Sequence, residues 1–511
     1  MSEKWFPGIA KPVLLLGLGL SLLFHLVCGF YSEGYQNHDE HFRILEMMHK
    51  RVTAPPTRES FERTLQECPE CLMFSYFQPA TLAAIRSAVA PMGLTSPFAL
   101  ATLFRLISAV MGWLSLVAMT YLVCQWIADT RTKHAAFYAL CFLWFFPYLH
   151  ARNSPESWAG SFLAFSLALL QYSLARAKEL RPPSRAAELG VGAFWALAFS
   201  SRYQTGVCVA FIALWYLFVG KRDKAGFFSF LTMCAGFFLV ALPVEGINAW
   251  GYGQWYPTHY AYLDRLVFKG GVLHQYDSGP WFYLYNVFAH GGPPFSALLI
   301  VGPILGWILF PRHVLTWMTA SFVIVHQIMA HKQINYLFPI AKMAVVLSVM
   351  SLTVAWNRIT SIGWANFFRK LRPIALGMNI AMLILACISP SAGVIGLYHF
   401  LYNYNKPVEL LSVDGDCFEV VGYPVSYYRQ PGTVVTRVPS YSELENKVAA
   451  TDGVAYVGRK GFALPAEAAN LKQWCKLSYT PLPTWVARFN YNKWIERSRL
   501  WSIYECEKPQ G

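Results

Sequence analysis

The sequence predicts an α-helical polytopic membrane protein with a small C-terminal domain of mixed α and β structure. Three observations predict it. Of the 511 residues, 55% are hydrophobic and 14% are charged, where a soluble domain carries roughly a quarter charged residues. Apolar stretches recur from residue 12 to residue 394, each near the ~20 residues that cross a bilayer. Beyond about residue 405 the pattern changes to short β-like runs separated by Gly and Pro.

Eleven spans are expected, at 12–31, 97–127, 134–150, 157–175, 188–201, 203–219, 225–246, 293–311, 313–330, 335–355 and 372–394. Lipid offers the backbone no hydrogen bonds, so the spans must be helices. The first, "KPVLLLGLGLSLLFHLVCGFY", exceeds a signal-peptide core and no small-residue cleavage pattern follows it, so it reads as a retained helix. The region 188–219 is either two short helices broken at "SSRYQTG" or one long tilted helix. In the loop that follows the first span, "PATLAAIRSAVAPMG" is an amphipathic stretch suited to the interface plane. The tail runs "CFEVVGYPVSYY", "GTVVTRV" and "GVAYVGR" read as strands of an α+β or mostly β fold. The expected organisation is a transmembrane domain over 1–400, with exoplasmic loops 32–96 and 247–292, and an exoplasmic domain over 401–511.

The formal net charge is +14. A nucleic-acid partner does not follow from it, because the basic residues lie mostly in short loops between spans. Eleven spans put Lys4, Lys11, "DTRTK", "RAKELRPPSR", "KRDK", Arg312 and "RKLR" on one side, which the positive-inside rule makes cytoplasmic. The exoplasmic side then receives 32–96, "ARNSPES", "SSRYQTG", 247–292, "HKQIN" and the chain after about 395. Every chemically suggestive stretch falls there. So do Cys68, Cys71, Cys417, Cys475 and Cys506, out of eleven cysteines. In an oxidising compartment "CPEC" can close a tight disulfide; a disulfide or free thiols are expected rather than a zinc site, since no second CxxC or close His pair completes a ligand set.

The stretch "EGYQNHDEHFRIL" places Asp39 and Glu40 between His38 and His41, just after the first span. A polar helix end meeting water is the plain reading. A metal site is another, because His38 and His41 stand three residues apart. Companions favour a third. Arg152 and Glu156 lie in "HARNSPESWAG", Arg202 in "SSRYQTG", and His331 and Lys332 in "AHKQINYLFPI", all on the face that holds the acidic pair. Each alone is an interfacial anchor; together they suggest an anion beside a carboxylate base. A lipid-linked phosphate is the anion a membrane offers most readily. Sugar transfer from such a phosphate needs a carboxylate to take the acceptor's proton and fixed positive charge for the departing phosphate. The loop 247–292 adds "NAWGYGQWYPTHYAYLDRL" and "HQYDSGPWFYLYN", whose aromatics stack on sugars or anchor at the interface.

The order of these motifs resembles the GT-C fold glycosyltransferases, and within them glycosyltransferase family 22, which includes α-mannosyltransferases of the asparagine-linked-glycan and GPI-anchor pathways. The matching elements are "NHDEHF", "RNSPES", "RYQT", "GYGQWYP" with "SGPW", and "HKQINYLFP", running through about residues 30–340. The resemblance implies a polyprenyl- or dolichyl-phosphate mannose donor, a glycan or glycolipid acceptor, a lumenal or periplasmic active site and inversion at the sugar carbon. It maps the catalytic base onto Asp39, with Glu40 beside it to orient it or bind acceptor. Arg152, Arg202, His331 and Lys332 become ligands of the donor phosphate, and His38, Tyr252, Trp255, Trp281 and Gln333 contacts to substrate. No metal and no cofactor is implied. Three positions depart from the pattern: Gln333 where Glu is usual, Asn335 where Arg is usual, and Asn248 where Asp is common. The tail from 405 lies outside the resemblance.

Two rivals remain in other classes. A flippase for lipid-linked sugars would show paired halves and broken midplane helices, and the sequence contains no such repeat. An accessory subunit on a transferase scaffold would explain the departures. The lack of dilysine- or KDEL-type signals favours a bacterial inner membrane with a periplasmic active site over an ER membrane with a lumenal one.

Overall fold

The computed structural model describes residues 5–179, 182–268, 278–293, 295–329, 331–358, 362–404, 406–420, 422–491, 495, 498 and 500–507. Lys4, residues 180–181 of the "RAKELRPPSR" loop and the 269–277 part of the 247–292 loop lie outside the described residues. The chain forms two compact units. A membrane unit comprises Met1–Ser32, Lys50–Ala88 and Thr102–Ser389, and a C-terminal unit comprises Glu33–His49, Val89–Ala101 and Pro390–Gly511.

Among the described residues, seven helical stretches are long and apolar enough to cross a membrane: Lys11–Tyr31, Pro97–Trp126, Pro155–Ala177, Tyr203–Gly220, Lys224–Tyr252, Ile334–Asn357 and Arg369–Ile388. Ser296–Leu309 and Val314–Ile328 are shorter apolar helices. The stretch 134–150 is divided into Thr130–Phe142 and Phe145–His150, with Leu143 in an extended conformation between them. Region 188–219 is also broken, as one of its two sequence readings expects. Helix Arg185–Ser201 ends where Arg202 turns extended, and a 3-10 turn Tyr203–Thr205 restarts the chain into Gly206–Trp215.

Polar side chains start these helices by accepting backbone N–H groups that have no intrahelical partner. Asp129 caps Thr130–Phe142, Ser154 caps Pro155–Lys178 with Pro155 in the first turn, and Asp223 caps Lys224–Tyr252. Helices Arg185–Ser201 and Lys224–Tyr252 approach backbone to backbone. A Cβ on Gly192 would lie 1.8 Å from the Met233 carbonyl oxygen, and one on Gly236 would lie 2.1 Å from that of Leu189. Small residues at such crossings let helices pack where lipid supplies no hydrophobic drive.

The C-terminal unit is built on a five-stranded mixed sheet. Its strands are β1 (Glu409–Ser412), β4 (Val434–Arg437), β5 (Ala455–Lys460), β6 (Cys475–Tyr479) and β7 (Trp501–Cys506); β2 (Glu419–Val420) and β3 (Tyr423–Pro424) form a separate antiparallel pair. The order is β4-β1-β5-β7-β6, with β1 parallel to β4 and β5, and β7 antiparallel to β5 and β6. Helix Tyr441–Ala450 covers the sheet through Leu444 and Val448, which pack with Leu411, Val457 and Tyr504. A disulfide joins Cys475 to Cys506 across the paired strands β6 and β7.

Candidate active site

The acidic pair belongs to the C-terminal unit. After the first span, Gly34 adopts φ 87°, a conformation that costs other residues, and a Cβ there would lie 2.7 Å from that of Ala392. Ser391 N–H donates to the Glu33 carbonyl at 2.7 Å. Asn37 then caps a short helical turn, His38–Glu40, its side chain accepting from Asp39 N–H at 3.1 Å. The chain continues as a π-helical turn, His41–Glu46, a form frequent at functional sites.

Along this segment the side chains diverge. Asp39 pairs with Arg43 at 2.9 Å and its side chain stays 14% exposed. Glu40 is buried and accepts from Gln36 N–H at 3.2 Å. His38 is exposed, whereas His41 is fully buried with Nε2 on Glu46 Oε1 at 3.0 Å. The two histidines therefore face different surroundings.

The cations belong to the membrane unit, where three sequence motifs meet on one carboxylate. Glu156 lies in the first turn of Pro155–Lys178 with its side chain 1% exposed. It accepts from Asn335 Nδ2 at 2.9 Å and pairs with Arg202 at 3.3 Å. Arg202 is aimed by its own turn, Nε donating to Gln204 Oε1 at 3.1 Å, and its guanidinium stands 5.2 Å from the Tyr336 ring centre. The His331 ring meets the same Tyr336 edge-on at 6.0 Å. Gln333 Nε2 stands 3.0 Å from His331 Nε2, within hydrogen-bond distance. Lys332 is buried and donates to the carbonyls of Met329 and Ser278 at 2.7 and 3.1 Å; carbonyls satisfy its hydrogens without neutralising its charge.

The other candidates have more structural surroundings. Arg152 is buried, donates to the Ser32 carbonyl and lies 4.9 Å from the Tyr148 ring centre. Tyr252 is buried, donates to the Phe74 carbonyl at 2.7 Å and packs edge-on against Tyr76. Trp255 and Trp281 are 69% and 72% exposed. Asn248 accepts from Tyr76 N–H at 2.8 Å and donates to Thr258 Oγ1 at 3.3 Å; an ionised Asp could accept the first bond but not donate the second. Cys68 and Cys71 are joined by a disulfide, and among the described residues no group of three or more His, Cys, Asp or Glu gathers as for a metal.

Sequence reasoning passed over two features. It treated Asn335 only as a departure, yet Asn335 is a ligand of Glu156. It also missed a buried polar chain one turn past the "HKQINYLFP" motif. Lys342 Nζ contacts His150 Nε2 at 3.2 Å and Ser161 Oγ at 3.4 Å, and His150 Nδ1 meets His25 Nε2 at 2.9 Å. A Lys and two His inside apolar spans were the available signal.

Comparison with known proteins agrees with this architecture. The model of the Alg9-like mannosyltransferase family matches residues 18–418. No curated protein sequence gives a match. The chain is similar to the crystal structure of ArnT from Cupriavidus metallidurans bound to undecaprenyl phosphate, at TM-score 0.57 and 12% identity, over 98% of this chain and 100% of that one. The apo ArnT structure matches at TM-score 0.50 and 13% identity, over 98% and 99% of the two chains. These likenesses show a GT-C fold.

Proposed function

The chain belongs to the Alg9-like mannosyltransferase family and is an integral-membrane glycosyltransferase; we propose that it transfers mannose from a polyprenyl-phosphate carrier to a glycan or glycolipid acceptor. In this reading an acceptor hydroxyl attacks the anomeric carbon from the face opposite the phosphate. The new C–O bond forms as the bond to the phosphate oxygen breaks, so the sugar carbon inverts. The hydroxyl proton passes to Asp39 and the electron pair leaves with the lipid phosphate. Glu40 orients Asp39 or binds acceptor. Arg202, His331 and Lys332, with Arg152, supply positive charge to the leaving phosphate. His38, Tyr252, Trp255, Trp281 and Gln333 are assigned to substrate contact, the two exposed tryptophans being suited to stacking on a sugar face.

The observation that carries the reading is the convergence of "RNSPES", "RYQT" and "HKQIN" on Glu156 and Tyr336. These segments are scattered over about 180 residues of chain, and an inert scaffold has no need to gather their charges. The undecaprenyl phosphate bound to a protein of similar fold supports the choice of lipid carrier. Two disulfides, in loop 32–96 and in the tail, support an exoplasmic site, because such bonds persist in oxidising compartments. That compartment is the periplasm of a bacterial inner membrane in the favoured reading, and the ER lumen in the other.

The test uses the full chain in lipid nanodiscs, radiolabelled mannosyl polyprenyl phosphate and a panel of glycolipid acceptors. Labelled acceptor with inverted anomeric configuration is expected, and Asp39→Asn should abolish its formation. Labelled lipid crossing a vesicle bilayer with no labelled acceptor would replace the transferase by a flippase. Transfer of a different hexose, with mannose inert, would overturn the donor assignment alone.

A further inference from the structure

The segment that carries the acidic pair is too short to bury its own side chains. It forms a compact unit with the C-terminal domain, and the contacts that hold it concentrate on one carboxylate and one ring. Glu46 is 1% exposed and His41 is fully buried. Glu46 Oε1 accepts from His41 Nε2 at 3.0 Å, from Ser426 N–H at 2.6 Å and from Tyr427 N–H at 2.8 Å. The His41 ring stacks on Tyr35 at 4.9 Å and on Tyr428 at 5.5 Å. Ile44, Leu45 and Met48 are buried on the same segment. Tyr427 donates to the Pro97 carbonyl at 3.0 Å, which fixes the turn that supplies the two N–H groups.

Helical phase separates this anchorage from the acidic pair. Successive residues advance about 100°, so Asp39 and Arg43 share one side of the turn while His41 projects from another, and the Asp39 side chain keeps its 14% exposure. The interaction therefore holds the turn that carries Asp39.

We propose that Glu46 and His41 are positioning residues, through which Ser426–Tyr428 of the C-terminal domain hold the turn that presents Asp39. The domain beyond the family match is then a working part of the transferase and not a cap. The proposal rests on Asp39 being the base. Removing the Glu46 carboxylate strands two backbone N–H groups and the His41 N–H in a buried site, so the turn must detach from the domain to rehydrate them. Loss of about an ångström of alignment at a base costs roughly a hundredfold in rate.

The experiment compares Glu46→Ala, Glu46→Gln, Tyr428→Leu and Asp39→Asn in the full chain in nanodiscs. It reads hydrogen–deuterium exchange, kcat and the donor KM. In Glu46→Ala, exchange over 37–46 should rise at least about tenfold while helix Pro155–Lys178 is unchanged. Its kcat should fall about a hundredfold with donor KM nearly constant. Glu46→Gln keeps an oxygen for both N–H groups and should recover to within about tenfold of the wild type. Should Glu46→Ala fail to fold, Tyr428→Leu removes the ring stacked on His41 while leaving the Glu46 carboxylate in place, and should lower kcat about tenfold with raised exchange. Unchanged exchange in whichever variant folds overturns the proposal, as does a loss carried wholly by KM. Asp39→Asn separates the two readings: wild-type turnover there removes the base assignment and with it the positioning role. An inactive Asp39→Asn beside an unaffected Glu46→Ala removes the positioning role alone.

Discussion

In the membrane unit, Glu156 is held by side chains: an Arg202 guanidinium and an Asn335 amide that come from two other segments. In the C-terminal unit, Glu46 is held by two backbone N–H groups and a histidine wedged against tyrosines. Both carboxylates are almost fully buried. The first arrangement gathers charge and balances it, so it brings cations to one place. The second satisfies a carboxylate with backbone N–H groups and so fixes a backbone. The difference teaches that buried acids in one chain serve separate ends, one assembling a charged cluster and the other anchoring the turn that carries the acidic pair.

The comparison is broken most severely at Asp39, the proposed base. Asp39→Asn keeps the shape of the segment and removes proton acceptance, so kcat should fall about a thousandfold, read in the mannosyl-transfer assay. A drop of less than about tenfold would return the acidic pair to an ordinary helix end.

Next in size is the membrane-unit cluster. Glu156→Ala leaves Arg202 buried without its carboxylate, which should cost about 3–5 kcal/mol of stability. Thermal unfolding in detergent measures it, and the double variant Glu156→Ala with Arg202→Met should recover much of the loss. If the single variant unfolds like the wild type, the cluster is not an ion pair in solution.

Each unit also carries one disulfide, and the loops differ in length. Cys475 and Cys506 lie 31 residues apart, whereas Cys68 and Cys71 lie 3 apart. Chain entropy then predicts losses of about 4 and about 2 kcal/mol when each is replaced by a serine pair. Equal losses would show that loop closure is not the source.

The smallest effect expected is a pH dependence at Glu46. Burial pushes its pKa up, but the His41 hydrogen bond and charge and the N–H groups of Tyr427 and Ser426 outweigh burial and hold it below the usual carboxylate value. A carboxyl depressed in the folded state stabilises above its unfolded pKa, and that stability is lost as pH falls through the folded pKa. Unfolding followed from about pH 6 to pH 3 should therefore show an acid-side loss in the wild type that is absent in Glu46→Gln. An identical slope in both would assign the loss to other carboxylates.

Much of this architecture was legible from local signals. Apolar runs marked the spans, and "SSRYQTG" marked the break that Arg202 makes by leaving the helix. The tail runs marked strands: β4 falls inside "GTVVTRV", and β5 overlaps "GVAYVGR" but extends one residue past it to Lys460. The division at Leu143 was not legible, because 134–150 is apolar throughout and the interruption follows from backbone geometry and not composition. The parallel pairing of β1 with β4 and β5 was equally hidden, since alternation reveals a strand's faces and not its neighbour.

By itself the sequence determined the solvent: a chain this apolar, with basic short loops, must lie in a bilayer as helices, because lipid satisfies no backbone group. It also determined which residue types were available for sugar transfer and in what order. Only the tertiary structure decided which of them share a partner. Arg202 and Asn335 meet Glu156, and Glu46 meets Ser426, across 46, 179 and 380 residues. Contacts at such separations are set by how helices and strands pack, and no local periodicity records them.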